Sequence, residues 1–136
     1  MRRTLICIMA ALALCAAQAQ PGWVKKAAKA VFTLKTFDAD GNLIASSNGF
    51  FVGEQGEALS SFAPFKGAAR AVVIDTKGNE MPVASIIGAN STYDVAKFRV
   101  EAKSTDPLAI AAANAAEGSA VWLLPYSTKK SPDCIE

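Results

Sequence analysis

Hydrophobic and polar residues alternate with a period of two through most of this chain, the spacing of strands with one buried face. Residues 30–37 place Val31, Thr33, Lys35 and Phe37 on one face and Phe32, Leu34 and Thr36 on the other. Turn residues follow, Asp38-Ala39-Asp40-Gly41-Asn42, and Leu43-Ile44 resumes the extended pattern, so a hairpin leads into the next strand. The run Gly49-Phe50-Phe51-Val52 meets a Gly53-Glu54-Gln55-Gly56 turn and continues as a short strand over residues 57–61. Residues 69–74 and 80–88 are two further strands around the turn Asp75-Thr76-Lys77-Gly78-Asn79, and Pro82 confines the second to an edge or to its own first positions. After a polar loop at 90–93, residues 95–100 alternate Val95, Lys97 and Arg99 against Ala96, Phe98 and Val100. Six strands separated by turn signals at regular spacing predict an all-β fold, a six-stranded antiparallel barrel.

Two stretches break the alternation. Trp23-Val24-Lys25-Lys26-Ala27-Ala28-Lys29 predicts one or two helical turns, with Trp23 expected to pack on the barrel. Phe62-Ala63-Pro64-Phe65 joins a proline, which ends ladder pairing, to aromatics that avoid water, and predicts a buried corner.

The stretch around that corner resembles the trypsin-like serine proteases, in particular the bacterial HtrA-type branch. Ser47-Asn48-Gly49-Phe50-Phe51-Val52 and Gly56-Glu57-Ala58-Leu59-Ser60-Ser61 are similar to the segments that approach the catalytic histidine in that family, and Ala63 stands at the histidine position. Asn90-Ser91-Thr92-Tyr93-Asp94-Val95-Ala96 resembles the segment carrying the acid of the triad, with Asp94 on the acid. The resemblance runs from about Trp23 to Pro125. It implies a trypsin-like first barrel over residues 20–104, then an inter-barrel connection and the first strand of an incomplete second barrel over 105–136. Propensity alone would make the alanine-rich stretch 109–117 a helix, with Asp106 as N-cap and Pro107 in its first turn. The resemblance instead implies extended chain at 108–111, at most one helical turn at 112–116 and a strand at 120–124. It also leaves an apolar surface there, Val121, Trp122, Leu123 and Leu124, through which self-association or capture of a partner is expected, with Trp122 as anchor.

The chemistry of the implied family is missing from the residues. A Ser-His-Asp triad needs an imidazole to accept the nucleophile's proton, and this sequence of 136 residues contains no histidine. No Gly-x-Ser-x-Gly or equivalent nucleophile loop occurs either. Asp94 is then a relic of the acid or a loop carboxylate capping backbone amides, and Ser60 and Ser61, without a base, read as structural. Asp38-x-Asp40-Gly41-Asn42 looks like the start of a calcium loop, but Leu43 and Gly49 stand where such a loop needs its glycine and its bidentate glutamate. A hairpin turn is the better reading. Lys25, Lys26 and Lys29 form a short basic cluster on a solvated helical face. No cofactor and no metal is expected, since zinc is poorly served without histidine.

The first residues change where the protein is expected to act. Met1-Arg2-Arg3, an apolar run from Leu5 to Leu14 and Ala17-Gln18-Ala19 form the three parts of a secretory signal peptide, residues 1–19. Its apolar run is too short to span a bilayer. A lipoprotein signal ending at Cys15 is the rival reading, against which Leu14 stands where a small residue is wanted. Removing the leader takes Arg2 and Arg3 from the 14 basic residues, leaving 12 against 12 acidic ones, so no electrostatic case for nucleic acid survives. It also removes Cys7 and Cys15, leaving Cys134 without an intramolecular disulfide partner. The expected function is an exported, periplasmic or secreted, non-catalytic domain that binds protein or peptide. The alternative is the N-terminal fragment of a trypsin-like endopeptidase whose second barrel is missing. The leader gives a direct test, for N-terminal sequencing of the exported protein should begin at Gln20, and a start at a lipidated Cys15 overturns the assignment.

Overall fold

In the computed structural model, which describes residues 21–124, the alternating stretches become six strands: β1 (Val31–Phe37), β2 (Leu43–Phe51), β3 (Glu57–Ser60), β4 (Arg70–Ile74), β5 (Glu80–Asn90) and β6 (Val95–Val100). Each pairs antiparallel with its neighbours in the order β1-β2-β3-β6-β5-β4, and β4 returns to β1. The sheet therefore closes on itself, and the protein is an all-β, six-stranded antiparallel barrel. The leader and Cys134 lie outside the described residues.

The alternation places the core as expected. Phe32 and Leu34 on β1, Ala96, Phe98 and Val100 on β6, and Phe51, Ala58 and Val73 between them form one buried cluster. Phe32 lies tilted at 58° against Phe51 at 4.8 Å between centroids and meets Phe98 edge-on at 6.2 Å, while Phe65 closes one end against Phe98 at 5.2 Å. Aromatic pairs at these separations contribute beyond the area they bury. Such a ring fits because its ladder partner is Gly49, where an added Cβ would lie 2.6 Å from the Phe32 ring and 2.6 Å from the Leu59 carbonyl oxygen. On the outer face Arg99 Nη2 donates to Glu57 Oε1 at 2.8 Å across the β3–β6 pair, an exposed ion pair worth no more than about 1 kcal/mol.

The turns come from local chemistry. The β1–β2 and β4–β5 connections share the pattern Asp-x-x-Gly-Asn, with Gly41 at φ 86° and Gly78 at φ 87° supplying the left-handed residue. The β2–β3 turn uses Gly56 at φ 88°, and its carbonyl accepts from Val100 N–H at 2.9 Å. The corner at residues 62–65 contains a 3-10 turn (Ala63–Phe65) with Pro64 buried in its first positions.

Two local expectations need correction. Helix α1 (Gly22–Ala28) forms, but its buried residue is Val24, while Trp23, expected to pack on the barrel, stays 47% exposed with its ring edge-on to Trp122 at 5.4 Å. No helical turn forms at 112–116, within the expectation of at most one, but 120–124 is not a strand, only position 123 making a β-bridge. Residues 105–108 instead run back over the barrel, where Thr105 N–H donates to Glu54 O at 3.1 Å, Thr105 Oγ1 to Gly53 O at 2.6 Å and Leu108 N–H to Phe51 O at 2.8 Å.

Gly56 is the tighter of the turn glycines, because a Cβ there would strike the Val100 carbonyl oxygen, whereas Gly41 has open space. In urea unfolding, Gly56→Ala should therefore cost about 2–4 kcal/mol and Gly41→Ala about 1 kcal/mol. Equal losses would contradict the β2–β3 turn geometry.

Candidate functional site

Ala63 and Asp94, thirty-one residues apart, meet at one end of the barrel. Asp94 ends the turn before β6 at φ 50°, the left-handed region that Asp tolerates better than most residues. From there its Oδ1 accepts the Ala63 N–H at 2.7 Å and its carbonyl accepts the Phe62 N–H at 3.3 Å. The same turn is built from Asn90, whose Oδ1 accepts the N–H groups of Thr92 at 3.0 Å and Tyr93 at 3.1 Å. The carboxylate thus caps the first residue of the 3-10 turn. Ala63 is exposed, and the neighbouring Tyr93 is 81% exposed.

Ser60, buried at the end of β3, donates its hydroxyl to the Ser61 carbonyl at 2.9 Å, and Ser61 is exposed. The chain has no imidazole with which either hydroxyl could be activated. Among the described residues no group of three or more Asp, Glu, Cys or His side chains is placed to hold a metal ion, and no helix is long and apolar enough to cross a membrane.

Of the other expected interface residues, Trp122 rests on Trp23, Val121 and Leu123 are exposed, and Leu124 is half-buried. Two features had no sequence signal. A cleft of about 660 Å³ lies between α1 and the returning segment, bounded by Trp23, Lys26, Glu54, Asp106 and Leu108. A second opening of about 270 Å³ lies between β4 and β5. Both depend on how distant segments cross, which alternation does not encode.

No family model matches the chain, and no curated protein does.

The calcium-like pattern at 38–42 is a closed turn. Asp38 Oδ1 accepts the N–H groups of Asp40 at 3.0 Å and Asn42 at 2.8 Å, and Oδ2 accepts Asn42 Nδ2 at 3.0 Å. The Asn42 side-chain bond, followed by the backbone bonds, holds the Asp38 carboxyl below its ordinary value of 3.8. Asp75 repeats the arrangement with the backbone N–H groups of Lys77 and Asn79 and with Asn79 Nδ2. Partial burial acts on it most strongly and upward, but the bonds from Asn79 and Lys77 together outweigh that and leave its carboxyl lowered. A carboxyl lowered by folding adds stability above its unfolded value, and the contribution is lost as pH falls through the folded value. Asp75→Ala should therefore lower the thermal midpoint at pH 7. The difference from the parent should shrink as pH falls below the ordinary carboxyl value, and a difference that persists unchanged in acid would show that the charge has no part in it.

Proposed function

We propose that this chain is an exported, trypsin-like β-barrel that has lost catalysis and serves to bind a protein or peptide partner. The observation that carries the reading is the contact between Asp94 and Ala63. The resemblance assigns these two positions to the acid and the base of a triad, and a base at 63 would have its backbone held by the acid meant to orient its ring. The closed barrel and its strand order are consistent with a trypsin-like first barrel. With alanine at 63 and no histidine elsewhere, even an added second barrel would find no general base here. That weighs against the reading as a fragment of an active endopeptidase and leaves recognition as the use of such a domain. A protein or peptide is favoured as partner because the mature charge is balanced and apolar side chains such as Ile86, Ile87 and Tyr93 are exposed.

Three sets of measurements test the two halves of this reading. Casein should remain intact and a fluorophosphonate probe should label no serine; reproducible labelling would reveal a base of another kind. In Ala63→His, the introduced imidazole, followed by NMR, should titrate above the ordinary value of about 6.5 and return towards it when Asp94→Asn is added. An imidazole indifferent to Asp94 would sink the correspondence with a triad. For binding, fluorescein-labelled carboxymethylated α-lactalbumin, an unfolded polypeptide, should show saturable polarisation in the micromolar range. The absence of saturable binding would remove the partner class.

A further inference from the structure

The opening between β4 and β5 is an interrupted ladder. The two strands pair only at Val72 with Pro82, Val73 with Met81 and Ile74 with Glu80. Continued in the same register, Ala71 would face Val83 and Arg70 would face Ala84, but neither pair forms. Past Pro82, β5 shifts register against β6 between Val83 and Ser85 and again between Ile86 and Gly88. Bulges of this kind bend a strand and increase its twist, so β5 follows β6 away from β4. On β5 from Val83 onward, the edge turned towards β4 pairs with no strand among the described residues. The seam is left open by small side chains, Ala68, Ala69 and Ala71 on one side and Ala84 and Ser85 on the other, with Phe65 beside them.

One charge borders the opening. The Arg70 guanidinium lies over the Phe37 ring at 4.3 Å, and it makes no ion pair among the described residues. An arginine held over a ring still has its fork of N–H donors to offer, and that fork suits a carboxylate. Thr36, fully buried with no hydrogen-bond partner for its hydroxyl among the described residues, sits opposite Ala71 in the β1–β4 ladder at the same end of the barrel.

We infer that this seam takes up an extended segment of another protein, in which aliphatic residues alternate with acidic ones, by strand addition to the edge of β5 at residues 83–86. The segment's backbone would supply the hydrogen bonds that β4 does not, its aliphatic side chains would enter the opening over Phe65 and the alanines, and an acidic side chain would meet Arg70. The inference rests on the peptide-binding reading above and assigns that binding a place away from Ala63 and Asp94.

The probe is an acetylated, amidated octapeptide alternating valine with glutamate, titrated into the ¹⁵N-labelled mature chain. Amide shifts should change at 83–86 and around Arg70. Affinity should fall at least about tenfold, roughly 1.4 kcal/mol, in Arg70→Glu, and by a similar factor when glutamine replaces glutamate in the peptide. Because the glutamine peptide leaves the protein untouched, the charge contact is tested even if Arg70→Glu perturbs folding. Shifts at 83–86 that ignore both changes overturn the assignment, as do shifts there that follow protein concentration without peptide, which mark pairing between copies. Shifts confined to the Ala63–Asp94 end overturn the seam while leaving peptide binding intact. No shift anywhere, together with no polarisation change for unfolded α-lactalbumin, overturns both.

Discussion

The packing of the Phe32 ring over the bare backbone of Gly49 is the constraint on which the barrel depends. Phe32 touches both of the other central rings, Phe51 and Phe98, and a side chain at 49 would occupy the space its ring fills. Through Phe98 the ring reaches Phe65, whose position fixes the corner after β3. That corner holds Ala63 where Asp94 can accept its N–H. Gly49 itself faces Ser60 in the β2–β3 ladder, so this single glycine-aromatic pair lies beside the end of the barrel that holds the candidate site.

The strands were legible because burial on one face forces a period of two, and where that constraint is strong the sequence and the fold agree closely. β6 is buried at Ala96, Phe98 and Val100, as its alternation implies. β1 is less regular, for Val31 is buried along with Phe32, Leu34 and Thr36. β5 is exposed along most of its length, so little in its pattern marks the two places where it changes register. Its irregularity comes from Pro82 and from backbone pairing with β6, neither of which leaves a hydrophobic trace. The region after the barrel misled for a related reason. Alanines favour a helix in isolation and the resemblance implies extended chain at 108–111 with a strand at 120–124, yet neither the helix nor that strand forms, and hydrogen bonds from Thr105 and Leu108 to the β2–β3 region direct the chain.

The candidate site divides in the same way. Nothing in composition or spacing brings position 63 to position 94; only the resemblance placed them together, and the hydrogen bond between them is a product of the folded turn. The lack of a base, by contrast, was evident from the sequence, since a chain without histidine cannot supply an imidazole wherever it folds. The opening at β4 and β5 was invisible beforehand, because small side chains in two strands read equally well as a tight contact or as a gap.

Barrel closure also bears on how fast the chain can reach this structure. Two of its six seams, β1 with β4 and β3 with β6, join residues as far apart in sequence as Thr33 and Ile74 or Ser60 and Ala96. The hairpins β1–β2 and β4–β5 can form early around their Asp-x-x-Gly-Asn turns, but the long-range seams must close larger loops before any contact repays the lost chain entropy. Folding in the millisecond-to-second range is the expectation for such a topology. Until those seams shut, β1, β3, β4 and β6 all present unpaired edges, so the interval before closure is when this chain is most exposed to association with other unfolded polypeptides.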